Sequence, residues 1–523
     1  MDKLARRGFS TLELMIALAI MTLVLSAVVI VSFGNQAFLI GGQTNAEAMK
    51  IAQELLESAQ ANARKDFNLV SPVASTTEDI FEKAVYVRLL PDFLTKEVRA
   101  LVSWEDERKQ KRFLELTTLV ANFDTPVGGN TCDSALAGDW SAPQIEQTID
   151  FSSLSGIPGG MYTLSDVDAY EGKLYVTASI VSGSTNPNFF IFNISNPASP
   201  VLLAAIDNEG TSGGTTSAGP TAVRVSQDPA SSPVKTYAYI ANGYTANYTT
   251  CNPITTRNCG QLNIIDVSAP TLSSWNPLMT NLMLASSSAP NVKGSQARGV
   301  SLYYKNGYLL LGLAATGAGN GPEFHLIDVH NPLSLFAGPH LLFPIGSYAV
   351  GNEVNAITMR GTYAYLATPN VQELHTLNLT NPNTPTLVGG FSSGTGLSNG
   401  KSMYLVGNNL YLGKTVPNTG NDFHILNNTT PGATLTELGG IDVPSTVNAV
   451  IVRDYLSFLL TNTELRLYRT DVPATPTLFS TLAIPQNGHA SVEPSMDCEA
   501  NRMYVTSNNT SGNGYLYVIK PGP

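Results

Sequence analysis

A chain of 523 residues is long enough for more than one domain, and its formal net charge of −11 disfavours non-specific nucleic-acid binding, which needs a basic surface. Charge is unevenly spread: residues 1–125 hold 14 Lys/Arg and 16 Asp/Glu, whereas the remainder holds 15 and 24 together with 40 of the 44 glycines. That shift of composition near Thr125-Pro126-Val127-Gly128-Gly129 marks a domain boundary.

The chain begins with the basic residues Lys3, Arg6 and Arg7, followed by Gly8 and Phe9. After Glu13 no charged residue appears until Glu47, and Leu, Ile, Val and Met dominate from Leu14 to Phe33. Twenty such residues in a helix rise about 30 Å, the thickness of a bilayer core. The basic residues before them would hold the N-terminus in the cytoplasm and send the bulk of the chain to the outer face. Glu13, inside the apolar segment, is costly there unless something pairs with it. An ordinary signal-anchor helix accounts for the apolar run but not for the glycine, phenylalanine and glutamate at that spacing.

The basic leader, Gly8, Phe9 and Glu13 resemble a type IV prepilin leader. The resemblance implies cleavage between Gly8 and Phe9 by a prepilin peptidase, with methylation of the new terminal Phe9. It further implies that Glu13 pairs with the terminal amine of a neighbouring pilin subunit as helices bundle into a filament. On this reading residues 1–8 are the leader and 9–65 a long transmembrane and assembly helix. Ala46, Met49, Ile51, Ala52, Leu55, Leu56 and Ala59 recur at helical spacing along its second half. Gly34 and the pair Gly41-Gly42 weaken that helix locally.

Residues 66–125 read as a small sheet able to cover the apolar face of the helix. Ala84–Leu90 is strand-like, Glu97–Trp104 alternates polar with apolar, and Phe113–Val120 follows a charged turn. The Val98–Val120 hairpin is similar to the small antiparallel sheet of minor pilins and pseudopilins. Residues 126–143, rich in Gly, Pro and Ser, read as a linker or strap.

From Gln144 the chain repeats itself. Each unit has an apolar strand, an aromatic-rich strand such as Lys173–Val176 or Tyr363–Leu366, a third strand ending in Asp/Asn-x-Ser/Thr-x-Pro or a near variant, and a fourth after a second proline. The third-strand endings are Asn193–Pro197, Asp266–Pro270, Asp328–Pro332, Asn378–Pro382 and Asn427–Pro431, with degenerate copies at Pro473 and Pro521. Successive prolines lie 73, 62, 50, 49, 42 and 48 residues apart, and the later spacings approach the period of four-stranded propeller blades. The Asp/Asn and Pro residues are read as turn formers. The last copy lacks a fourth strand, and Pro143–Phe151 looks like an orphan fourth strand able to complete it and close the ring, which would leave no open sheet edge. Leu262–Pro270 and Phe324–Pro332 most clearly resemble the LVIVD-type β-propeller repeat, a resemblance that covers roughly residues 144–523 and implies an extracytoplasmic propeller with binding or scaffold roles. The expected fold class is thus mainly β: a long N-terminal α-helix with a small pilin-type antiparallel sheet, then a seven-bladed β-propeller.

Export makes disulfides plausible. Cys251 and Cys259 flank a short polar loop and are expected to bond. A Cys132–Cys498 bridge would lock the ring shut and tie the stalk to it.

His325, His375 and His424 each lie seven residues before a blade proline. Equivalent outer positions on different blades are far apart around a ring, so they do not converge on one metal; no metal or other cofactor is assigned. Asp166, Asn355, Lys401 and Asn448 occupy nearly the same place on the innermost strand of their blades, with Arg298 close to that column. Innermost strands converge on the central channel, so these five are the candidate binding residues of its mouth. No nucleophile elbow, phosphate-binding loop or calcium loop is present, and no catalytic residue is assigned.

The expected function is a minor type IV pilin-like subunit, near a filament tip where a large head has room, that displays the propeller for adhesion to a surface, glycan or protein. Before assembly it would sit in the inner membrane with its bulk extracytoplasmic. One alternative is a type II secretion-type minor pseudopilin whose propeller grips cargo. Another is a membrane-tethered propeller enzyme acting on glycans or peptides, with Asp166 or His489 as the residues to test.

Overall fold

The computed structural model describes residues 11–65, 70–89, 95–105, 109–121, 138–181, 186–208, 219–228, 233–242, 260–271, 277–284, 297–315, 322–336, 341–394, 399–415, 420–453, 456–485, 492–499 and 501–522; within the first helix it describes side chains at 15–16, 18–28 and 43–60. The chain divides into two compact units, 1–123 and 124–523.

The first unit contains helix α1, Thr11–Lys65, and a sheet of β1 (Val73–Glu78), β2 (Phe81–Leu89), β3 (Thr95–Glu105) and β4 (Lys111–Ala121) in the order β1-β2-β3-β4. Ala48, Ala52 and Ala59 are buried and, with Leu55 and Leu56, form one helical stripe over Phe81, Val85, Val98, Ala100, Val102 and Trp104. The small alanines let the helix approach the sheet closely. Ala46 and Met49, read from the sequence as members of that stripe, are instead exposed, because the spacing that faces the sheet runs through Ala48. β1 escaped the sequence reading: its side chains are exposed throughout, so it carries no apolar pattern. Further up the helix Met15, Leu18, Met21, Leu23, Val24, Leu25 and Val28 are all exposed. Gly8 and Phe9 lie outside the described residues, and so does the side chain of Glu13.

The second unit has a β-propeller-like fold of seven sheets. Their innermost strands are Tyr162–Tyr170, Pro220–Asp228, Gly299–Lys305, Ala356–Arg360, Gly400–Val406, Ala449–Arg453 and Met496–Glu499. Each packs beside the next, and Met496–Glu499 returns to Tyr162–Tyr170. In the seventh sheet the outermost strand is Gln144–Asp150, paired antiparallel with Gly514–Lys520. Second strands read as nearly continuous apolar runs because both faces are covered. In Lys173–Val181, Leu174, Val176 and Ala178 pack toward the seventh sheet, and Tyr175 packs toward the second. Outermost strands such as Val201–Ile206 are half-exposed.

These findings correct the expected fold class. The described residues form eight separate sheets, counting that of the first unit, rather than one uniform set of seven blades behind a membrane-spanning helix. Among them no helix is long and apolar enough to cross a membrane. The second sheet has five strands, because Leu341–Leu342 pairs in parallel with Met283–Leu284 on its outer edge. The outermost strand of the third sheet is reduced to Gly346–Tyr348. The cause is local: Pro332, where the repeat predicts a turn, opens the short helix Pro332–Phe336, which suits proline at a first helical position. Leu335 and Phe336 of that helix pack onto the core between the second and third sheets, so the following chain crosses the second sheet before reaching its own.

The Asp/Asn positions of the repeat act as turn formers throughout. The Oδ1 atoms of Asn193, Asp266, Asp328, Asn378 and Asn427 accept from the backbone N–H two residues on, at 2.8–3.1 Å. Cys498 is buried and disulfide-bonded; Cys132, Cys251 and Cys259 lie outside the described residues.

Candidate functional site: the channel mouth

The two ends of the ring differ. At one end innermost and second strands are joined by tight links such as Glu171-Gly172 and Asn306-Gly307, whose positive φ values (48° and 73°, 48° and 77°) are those of a two-residue hairpin turn. The other end takes the links from outermost strands to the next innermost strands, such as 442–448. Innermost strands begin at that end, and there a cavity of about 610 Å³ opens along the channel. Asp166, Arg298, Asn355, Lys401 and Asn448 all line it, contributed by five different sheets.

Their immediate partners are polar. Asn355 Nδ2 donates to the Gly400 carbonyl (2.6 Å), joining neighbouring sheets. Lys401 Nζ donates to Glu493 Oε1 (2.6 Å), and Arg298 lies 3.7 Å from Glu353 Oε1. Asn448 Nδ2 donates to Asn462 Oδ1 (2.7 Å), while Asn448 Oδ1 is buried and has no hydrogen-bond partner. Asp166 has the richest set: Oδ2 accepts from Val223 N (2.9 Å) and from the Arg224 guanidinium (3.0 Å), and Oδ1 from Ser495 Oγ (2.6 Å).

Three more residues complete the deep part of the site, and the sequence reading did not assign them. Asp168 Oδ2 accepts from Val225 N (2.8 Å), Asp497 Oδ2 accepts from Ala169 N (2.6 Å), and Arg224 stands 3.8 Å from Asp168 Oδ1. The three carboxylates share one guanidinium and together staple the seventh, first and second sheets. Burial pushes the Asp168 carboxyl well above its ordinary range, the neighbouring Asp497 and Asp166 push the same way, and Arg224 opposes them. Asp497 is raised to about 7, by burial first and then by Asp166, against backbone N–H donors and Arg224. Burial works against the charge of Arg224, but the three aspartates outweigh it and hold its pKa above the usual guanidinium value. A signal existed in the sequence: Asp166 and Asp168 are two apart on one strand, hence on one face, and Asp497 follows the last innermost strand's start. Neither feature says that an arginine two sheets from Asp497 meets them.

The histidine column is structural. His325 Nε2 meets the Pro322 carbonyl (2.9 Å) and Nδ1 meets Ser347 Oγ (2.9 Å); burial lowers it to about 4. His424 repeats this with the Asn421 carbonyl (2.9 Å) and Glu437 (2.8 Å), and His375 Nδ1 lies 3.3 Å from Thr368 Oγ1. Both are lowered by burial. The residue before each third strand was missed: Glu323 Oε2 accepts from Val350 N and Gly351 N (both 2.9 Å), Glu373 Oε2 from Ser393 N (3.0 Å), and Asp422 Oδ1 from Val443 N (2.6 Å). These acids tie the returning outer strand to the ring. Among the described residues no group of His, Cys, Asp or Glu is arranged to hold a metal ion. His489 lies outside the described residues.

No family model and no curated relative matches the chain. Solved structures similar to it include a Bacteroides uniformis protein described as a candidate 6-phosphogluconolactonase, at 8% identity and a TM-score of 0.40, covering 74% of this chain and 92% of that one. A likeness of that size carries no inference about function.

Proposed function

We propose that the chain is a minor type IV pilin-like subunit whose propeller-like unit binds a surface, glycan or protein ligand at the channel mouth. The observation that carries the reading is the run of exposed apolar side chains on α1, Met15 to Val28, directly after the Gly8-Phe9 junction and Glu13. Contiguous apolar surface of that extent calls for burial against a partner, and sister helices in a filament bundle are the partner the leader motif suggests. In this reading a prepilin peptidase cuts after Gly8, Phe9 is methylated, and Glu13 sets register by pairing with a neighbour's terminal amine. The bulk of the protein is extracytoplasmic and ends on the cell surface. The gathering of Asp166, Arg298, Asn355, Lys401 and Asn448 around one cavity supports that end as the ligand-binding face.

N-terminal sequencing and immunogold labelling of native filaments test this. A chain beginning at Phe9, label near filament ends, and loss of label on Glu13→Ala are the expected results. A protein that begins at Met1 and enters filaments independently of residue 13 would overturn the proposal.

A further inference from the structure

We infer that the mouth opens at one joint of the ring, between the sixth and seventh sheets, and that residues 138–142 are the clasp that pins this joint from outside. This rests on the reading of the mouth as a binding face and adds how that face is regulated.

The first observation is a pattern with one gap. Near the mouth end of the innermost strands, a side chain of one sheet donates across the joint to the next. Ser165 Oγ donates to the Pro220 carbonyl (2.6 Å), Thr221 Oγ1 to that of Gly299 (2.8 Å) and Ser301 Oγ to that of Val354 (2.6 Å). Asn355 bonds the Gly400 carbonyl in the same way, Ser402 Oγ donates to that of Val447 (3.1 Å), and Ser495 Oγ reaches from the seventh sheet to Asp166. Among the described residues the sixth sheet makes no such bond to the seventh, because Asn448 donates to Asn462 of its own sheet. The strands Ala449–Arg453 and Met496–Glu499 also lie against each other least of the seven neighbouring innermost pairs. An ion pair spans the mouth side of this joint instead: Lys401 of the fifth sheet meets Glu493, whose side chain is 51% exposed. Exposed pairs are weak and are screened by salt.

The second observation is the strap on the outer side of the same joint. Trp140 is 1% exposed in the core between the sixth and seventh sheets, T-shaped against Phe458 with ring centroids 5.0 Å apart. Its carbonyl accepts from Ser480 Oγ of the sixth sheet (2.7 Å), and the Asp139 carbonyl accepts from Gly522 N at the end of the seventh (2.8 Å). A Cβ on Gly522 would stand 2.8 Å from the Ala142 carbonyl oxygen, so the strap runs in close contact with the ring. Tyr517 of the seventh sheet adds another outer bond, donating to the Pro485 carbonyl (2.6 Å). The joint is thus pinned outside and latched at the mouth by exposed charges, which is the layout of a hinge. Asn448 and Ile451 line the cavity from one side of it, Glu493 and Ser495 from the other, so its swing sets the width of the mouth. The strap continues the linker between the two units, and what displaces the strap therefore acts on the mouth.

The test is thiol accessibility in the purified full-length protein. Ile451→Cys and Leu302→Cys each place a thiol at a buried position on the cavity lining, the first at the sixth–seventh joint and the second at the second–third. Modification by a maleimide is read peptide by peptide by mass spectrometry. The thiol at position 451 should react about fivefold faster than that at 302, the difference one net hydrogen bond makes. Lys401→Met should speed reaction at 451 a further two- to fivefold or about that, and raising the ionic strength to about 1 M should act the same way. Trp140→Ala should speed it about a hundredfold or more, and the milder Trp140→Phe severalfold with the thermal transition still cooperative. None of these changes should alter the reaction at 302. Equal reactivity at the two positions would overturn the hinge. So would indifference of position 451 to both Lys401→Met and Trp140→Phe in folded protein, or an effect of equal size at 302. Neither ligand nor filament enters the measurement, so its failure is distinguishable from failure of the binding-face reading.

Discussion

Asp497 shows how a single side chain makes the ring pH-sensitive. Its folded pKa, about 7, stands above the ordinary carboxylate value because the site is buried and shared with Asp166. A raised acid binds its proton more tightly folded than unfolded, so its contribution is fully present below about pH 4 and is lost as pH rises through about 7. Asp168 is shifted the same way. His325 has the opposite slope: lowered to about 4, it favours the fold above its ordinary value and loses that contribution as pH falls from about 6.5 toward 4. The two windows overlap with opposite slopes, so between about pH 4 and 6.5 the two contributions largely offset one another. In thermal unfolding followed across that range, Asp497→Asn should tilt the profile toward greater stability as pH rises, whereas His325→Gln should tilt it toward lower stability as pH rises. A second residue-scale case is Lys414, fully buried, whose Nζ donates to Glu373 Oε1 (3.1 Å) and Ser393 Oγ (2.8 Å). Lys414→Met leaves Glu373 buried without that charge and should cost about 3–5 kcal/mol in chemical denaturation, with Lys414→Met/Glu373→Gln recovering part of the loss.

Between elements, the close contacts are made by glycine. Outermost strands approach the proline turn of the next sheet so nearly that a Cβ on Gly346 would collide with the Pro382 carbonyl oxygen, and one on Gly439 with that of Pro473. Gly439→Ala should lower stability by about 1–3 kcal/mol, the cost of overpacking, whereas Gly394→Ala has open space but a φ of +72° and tests backbone strain alone. Comparing the two by thermal denaturation separates contact from conformation. At this scale the sequence was readable where a pattern maps directly onto backbone chemistry. Asn193, Asp266, Asp328, Asn378 and Asn427 each made the turn their position suggested, because an Asx side chain bonds its own backbone without help from the rest of the fold. The same pattern failed at Pro332, where Leu335 and Phe336 gained more from a helical turn over the core than from a hairpin. β1 was missed for a related reason: an exposed edge strand is chosen by its neighbour's hydrogen bonds and not by its own apolar residues. The five mouth residues were legible because duplicated strands put equivalent positions on one channel. Arg224 was not, because which basic residue meets Asp166 depends on the rotation from one sheet to the next, which no single repeat encodes.

For the second unit as a whole, the decisive contact joins residues more than 360 positions apart. Tyr517 stands opposite Thr148, and Tyr515 opposite Asp150, so the seventh sheet is completed by a strand that continues directly into the first sheet. Arg502 reinforces it, with Nη2 donating to Glu146 Oε1 (3.1 Å) beside a closer contact between Arg502 Nε and Glu146 Oε2. The same seam is held from the channel side by Asp497 on Ala169 N, and by Asn508, whose side chain bonds both N–H and C=O of Leu164. Closure is thus made twice, at the outer edge and at the inner one. If the two clamps act together, a break in either should loosen both. Thr148→Pro, which fixes φ and removes an N–H opposite Tyr517, should loosen the pairing along Gly514–Lys520, which then exchanges its amide hydrogens quickly. The cooperative expectation is that Met496–Glu499 and Tyr162–Tyr170 also lose protection, although the substitution touches neither. Thr481→Pro, opposite Arg466 on the outermost strand of the sixth sheet, provides the comparison, since that strand follows its neighbour directly in sequence and closes nothing. Its effect should stay within the sixth sheet. Hydrogen exchange read peptide by peptide distinguishes the outcomes, and equal, local loss in both variants would mean that the ring is a set of independently stable sheets with no closing seam.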